Sequence, residues 1–314
     1  MGNRHFFKDL GKSTLTKATG KMATAFQTYI APAKPRNQIW RMLAGLVLIA
    51  AAWIAGTIVV LWLAQPGQGA DGLSRLARDL SDPNTPRAMF VLLFTFLGPV
   101  LGVILAAALL HRRSPASLIG PLRPATRDFL KVFRAALVIY AVILAISLIW
   151  SRPIPNMDLA SWAVLLLPAI ALIALQTGAE ELLFRGYAMQ QLAARFKSPW
   201  IWMGLPSIAF GLMHFDPKLG REIAALIILA TGLFGLIAAD LTRRTGNLGA
   251  AWALHLCNNI AALLIIAMDG QMTGLALFVT PYSLEDGELL RMVLIGDILA
   301  QTITWALIVR ILRR

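Results

Sequence analysis

Apolar runs of about 17 to 23 residues recur along the chain, the length a helix needs to cross a bilayer. A soluble α/β chain would instead show amphipathic alternation. The candidate spans are Met42 to Ala64, Ala88 to Leu110, Ala135 to Trp150, Ser161 to about Gln190, Trp200 to Phe215, Ile223 to Ala239, Leu248 to Met268 and Leu289 to Val309. Of the 314 residues 58% are hydrophobic and 14% charged, and the mean hydropathy of +0.68 is far above that of a soluble domain. The pattern predicts an all-α membrane protein, a polytopic bundle of about eight transmembrane helices.

The net charge of +13 fits that topology better than a nucleic-acid partner, because basic excess in a membrane protein is usually topogenic. No aromatic-interleaved basic module is present, so no nucleic acid is expected. With the amino terminus inside, the loop holding Arg112, Arg113, Arg123, Arg127, Lys131 and Arg134 is cytoplasmic. So are Arg195 with Lys197, Arg243 with Arg244, and the tail of Arg310, Arg313 and Arg314. Asp71, Asp79 and Asp82 fall on the opposite side, as do Asp269, Glu285, Asp286 and Glu288. The expected location is a bacterial inner (plasma) membrane, multi-pass, with both termini cytoplasmic.

Before about Met42 the chain carries Arg4, Lys8, Lys12, Lys17, Lys21, Lys34, Arg36 and Arg41 against one acid, Asp9. It has no apolar run there, so a cleaved signal peptide is not expected. Two readings stay open. Phe6, Phe7, Leu10, Leu15, Met22 and Phe26 interleave with the basic residues, as in a segment lying on anionic lipid; a basic tail that fixes orientation fits equally. The single cysteine, Cys257, excludes an intrachain disulfide framework and any multi-cysteine metal site. No internal repeat, low-complexity tract or soluble domain is visible, and an inverted-repeat transporter is not signalled. The chain divides into a basic segment (1–41), three helices (42–160), four helices carrying the polar residues (161–268), and an acidic loop with a last helix (269–314).

Charges near the middle of a membrane helix cost about 2.5 to 3.5 kcal/mol each on insertion scales, so they persist mainly when paired or functional. The stretch GAEELLFRGY holds three, Glu180, Glu181 and Arg185. Glu181 and Arg185 are four apart in the favourable acid-first order and can pair. Glu180 lies about 100 degrees round the helix, on the stripe of Gln176, Phe184 and Tyr187, and is left over. Phe210 and His214 are four apart in SIAFGLMHFDP, and His255 and Asn259 four apart in AWALHLCNNI. Each set has a bland reading: water near the helix end for Glu180, interhelical hydrogen bonds for the others. Together they put an acid, two imidazoles and an amide on three membrane helices, which is what water-activating chemistry requires.

Taken in order, Glu180-Glu181-x-x-x-Arg185, Phe210-x-x-x-His214 and His255-x-x-x-Asn259 resemble the three motifs of the CAAX protease and bacteriocin-processing (CPBP, or Abi) family. The resemblance covers about Pro168 to Met268. It implies an intramembrane endopeptidase of glutamate type, similar to the CAAX prenyl endopeptidases, acting on a membrane-associated peptide or protein. Carried over residue by residue, Glu180 is the general base that with His214 activates water, and His255 and Asn259 donate to the developing oxyanion. Glu181 and Arg185 form the structural pair, with Phe210 in support. No cofactor is expected. A zinc version stays open, since Glu180, His214 and His255 are a zinc-like donor set, although no His-Glu-x-x-His motif is present. Cys257, two residues from His255, faces elsewhere. A non-catalytic scaffold or immunity factor, and a transporter, are the competing readings.

One difficulty concerns depth. At 1.5 Å per residue, His255 lies about 10 Å into a helix starting at Leu248, but His214 about 21 Å into one starting at Trp200. The offset shrinks if SPWIW lies in the interface and the helix enters near Pro206. The fifth helix is then too short to span alone, and the connection DPKLG dips into the bilayer.

Overall fold

The computed structural model describes residues 24–65, 69–283 and 286–313. The first helices are α1 (Ile39–Ala64), the amphipathic α2 (Gly69–Ser81), α3 (Pro86–Leu110) and α4 (Leu122–Trp150). A two-residue strand β1 (Ile154–Pro155) leads into α5 (Leu159–Arg195), α6 (Trp200–Leu212), α7 (Arg221–Thr245) and α8 (Gly249–Ile265). Strands β2 (Ile266–Asp269) and β3 (Phe278–Ser283) precede the last helix, α9 (Gly287–Arg313). Among the described residues six helices are long and apolar enough to cross a membrane, and α6 and α8 are shorter apolar helices, so the expected eight are present.

Several boundaries differ from those read off the hydropathy, among them the start of α4 and the end of the seventh span. α4 begins at Leu122, not Ala135, so Arg123, Arg127, Lys131 and Arg134 are helical and not in a loop. Hydropathy hides this helical start because the cations dilute it, yet Ala125, Val132 and Ala136 recur on one face and are buried. The end of the seventh span is extended: Ile266–Asp269 leaves the helix and pairs in parallel with β3, Ile266 opposite Phe278 and Ala267 opposite Val279. β1 joins the other edge of β3 antiparallel, giving the order β1-β3-β2. Pairing across loops, which hydropathy does not encode, holds these residues extended.

At the end with Arg195 and Arg244, residues 24–36 are docked and not free. Phe26 stacks on Trp202 with ring centroids 4.9 Å apart, and the buried Tyr29 hydroxyl donates to Leu118 O at 2.9 Å and Arg185 O at 3.2 Å. Arg4, Lys8, Lys12, Lys17 and Lys21, the aromatic residues between them, and Glu285 lie outside the described residues.

α8 is anchored through a fully buried asparagine. Gly246 ends α7 in the left-handed region with φ of 67°. Asn247 Oδ1 then accepts from Gly249 N at 2.9 Å, and Asn247 Nδ2 donates to Asp128 Oδ2 at 2.9 Å. Gly249 packs so tightly on α4 that a Cβ there would stand 2.0 Å from Ala125 O. Because α8 carries His255 and Asn259, we expect Gly249→Ala to push the two helices apart. It should destabilise by about 1–3 kcal/mol, the ordinary cost of overpacking, read as a lower unfolding midpoint in detergent. An unchanged midpoint would show that the contact yields freely.

Candidate active site

The charged residues of α5 gather where that helix widens. From Leu182 to Met189 it has π-helical geometry, a local bulge often found at functional sites. Arg185 Nη1 donates to Glu181 Oε1 at 2.9 Å, an ion pair four residues apart with side chains 2% and 1% exposed. Arg185 Nη2 donates to Gly235 O on α7 at 3.0 Å, and the guanidinium lies over the Phe210 ring at 5.0 Å. The expected pairing is therefore present, and it also ties α5 to α6 and α7.

Glu181 Oε1 has a second partner, His255 Nδ1 at 2.9 Å. An ionised carboxylate only accepts, so Nδ1 carries hydrogen and His255 turns Nε2 toward Glu180. The distance from Nε2 to Glu180 Oε2 is 3.5 Å, within ion-pair range. Two carboxylates, one guanidinium and one imidazole sum to zero when one proton is held by either Glu180 or His255. The leftover charge on Glu180 thus finds its partner in His255.

The other oxygen of Glu180 accepts from Gln176 Nε2 at 2.7 Å, as the shared stripe predicts, and Asn259 Nδ2 donates to Gln176 Oε1 at 2.8 Å. Glu180, Glu181, Arg185, His255 and Asn259 thus belong to one connected polar centre, with buried Gln176 as the bridge.

His214 stands apart from it. Its Nδ1 donates to Phe210 O at 2.8 Å, and among the described residues it has no hydrogen bond to Glu180, His255 or Asn259. Phe210 lies beside both imidazoles, with ring centroids 4.9 Å from His214 and 6.0 Å from His255. α6 is a short apolar helix that begins at the 80% exposed Trp200 and sets the Phe210 ring 6.0 Å from that of His255. Among the described residues no three His, Cys, Asp or Glu side chains are arranged to hold a metal ion. The set Glu180, His214 and His255 does not converge, and we derive no step through zinc. Cys257 is buried against α4, where Sγ donates weakly to Phe133 O at 3.6 Å, away from the glutamates.

Beside Glu180 opens an apolar crevice lined by Trp53, Phe96, Pro99, Leu183, Phe184 and Met213. α1 and α3 build one wall of it, a contribution hydropathy alone does not reveal. The sequence reading also passed over Tyr140 and Asn258, which continue the amide line, and Asp297 in mid-α9, bonded by Gln301. Asp297 was findable: it is an acid inside an apolar run.

A buried carboxylate–imidazole centre inside a polytopic helical bundle defines the class, a membrane protein with the parts of a hydrolase. Residues 160–261 match the family described as Type II CAAX prenyl endopeptidase Rce1-like, and the chain carries a domain of that family. All seven motif residues fall inside the matched segment. The uncharacterized protein YyaK of Bacillus subtilis (strain 168) is 24% identical over 262 residues, covering 79% of this chain and 84% of that protein. No solved structure matches. The family points to an intramembrane protease with a protein substrate, and the Glu180, Glu181 and His255 cluster is consistent with its active site.

Proposed function

We propose that the protein is an intramembrane endopeptidase that hydrolyses a peptide bond with water activated by Glu180. The observation that carries this reading is the 3.5 Å approach of Glu180 Oε2 to His255 Nε2, while Nδ1 of the same ring is held by Glu181. With the shared proton on His255, one ionised base and one cationic donor face the same space, and an amide hydrolase needs that combination.

The reaction follows from those groups. Glu180 takes a proton as water oxygen bonds to the scissile carbonyl carbon; His214, held by its Nδ1 bond to Phe210 O, stands apart and has no part in this step. His255 Nε2–H and the second N–H of Asn259 donate to the oxyanion. The tetrahedral intermediate then collapses, the C–N bond breaks, and Glu180 returns its proton to the leaving amine. Glu181 and Arg185 hold His255 and the bundle in place and take no proton.

Substrate reaches Glu180 along the narrow apolar crevice beside it, a space that must widen to admit more than water. We place the protein in a bacterial inner membrane with both termini cytoplasmic, because the basic residues concentrate at the end holding Arg195, Arg243 and Arg313.

The direct test reconstitutes the protein in proteoliposomes with membrane-embedded reporter peptides, with and without a prenyl-cysteine, and reads products by mass spectrometry. Cleavage that survives strong chelators is the expected result. Loss of cleavage on chelation, restored by added zinc, would replace this mechanism with a metal-dependent one; no cleavage of any peptide would remove the endopeptidase reading.

A further inference from the structure

A continuous line of hydrogen bonds runs from Glu180 to a phenol on another helix. Gln176 Nε2 donates to Glu180 Oε1 at 2.7 Å, and Asn259 Nδ2 to Gln176 Oε1 at 2.8 Å. Asn258 Nδ2 donates to Asn259 Oδ1 at 3.1 Å, and the Tyr140 hydroxyl to Asn258 Oδ1 at 2.9 Å. Tyr140 belongs to α4, outside the segment that matches the family.

The direction of this line is fixed by its end. Glu180 Oε2 faces His255 at 3.5 Å, and Oε1 on the other side accepts from Gln176 Nε2. Gln176 must therefore turn its nitrogen to Glu180, its carbonyl must accept from Asn259, and the requirement passes through Asn258 to the one hydroxyl proton of Tyr140. Aligned donors polarise one another in a low-dielectric interior, so each link strengthens the next. Amides do not conduct protons in such a line, so it orients a carboxylate and does not deliver charge to it. Asp297 of α9 is near enough to act electrostatically on the phenol.

We propose that Tyr140 is a positioning residue for Glu180, acting through Asn258, Asn259 and Gln176. The role rests on the peptidase reading above, but the orientation of Glu180 can be measured without turnover. Tyr140→Phe removes one oxygen and little else. Reconstituted Tyr140→Phe should lose about five- to tenfold in kcat, the size of one net hydrogen bond, with KM unchanged. Asn258→Ala should reach a similar level and the double variant fall no further, since both changes cut the same line. The infrared carboxylate bands of Glu180, assigned by difference from Glu180→Gln, should shift in Tyr140→Phe.

A wild-type protein that cleaves nothing but shows the band shift would keep the positioning role and remove the peptidase reading. An active protein whose Tyr140→Phe form has wild-type kcat and an unshifted band would remove the positioning role alone. Additive losses, or a lower unfolding midpoint with an unshifted band, would also overturn it, because Tyr140 would then only tie α4 to α8.

Discussion

Glu180→Gln is expected to lower kcat for peptide cleavage by about a thousand-fold, the loss typical when a general base is removed. The substitution keeps the shape of the side chain and an oxygen able to accept from Gln176. What it removes is the ability to take a proton from water. KM should hardly move, because the lost interaction exists only as the water attacks. Stability should hardly move either: the Glu180 side chain is 15% exposed, and its bonds reach only Gln176 and, at 3.5 Å, His255. Steady-state cleavage in proteoliposomes, beside a thermal scan of the same preparation, checks both halves. Full activity in Glu180→Gln would sink the base assignment. Full biological function without any cleavage would favour a scaffold that keeps the centre for packing.

The sequence carried the helices and the ion pair because both depend on spacing along one chain. A 3.6-residue repeat puts Glu181 beneath Arg185 and Gln176 beneath Glu180, and the structure has both contacts. The link from His255 to both glutamates depends instead on how α8 is pinned to α4 through Gly249 and Asn247, and no single-helix argument contains that. The same limit hid Tyr140, whose meaning comes from Asn258 on another helix, and the Trp53 and Phe96 wall of the crevice. It also explains the placement of His214. Counting residues exposed a depth mismatch, but only the packing of α6 on α7 sets the Phe210 ring beside both imidazoles.

Arg185→Ala should abolish stable folding, where Glu180→Gln spares it. Removing the guanidinium leaves Glu181, 1% exposed, with His255 as its remaining partner, and cuts the tie from α5 to Gly235 O of α7. Breaking a buried pair by deleting one partner costs about 3–5 kcal/mol, enough to unfold a marginal protein. Arg185→Lys should fall between the two, because an ammonium cannot reproduce the two-nitrogen reach to Glu181 and Gly235. Chemical unfolding in detergent and the amount of protein recovered from membranes read this series. If Arg185→Ala keeps the wild-type midpoint and loses only activity, Arg185 belongs to the chemistry and not to the frame. The paired replacement Glu181→Leu with Arg185→Met separates the two further. Apolar side chains of similar volume often restore the stability that a broken ion pair loses, so the midpoint should recover. Activity should not, because His255 Nδ1 then has no carboxylate to hold its hydrogen, and nothing keeps Nε2 turned toward Glu180.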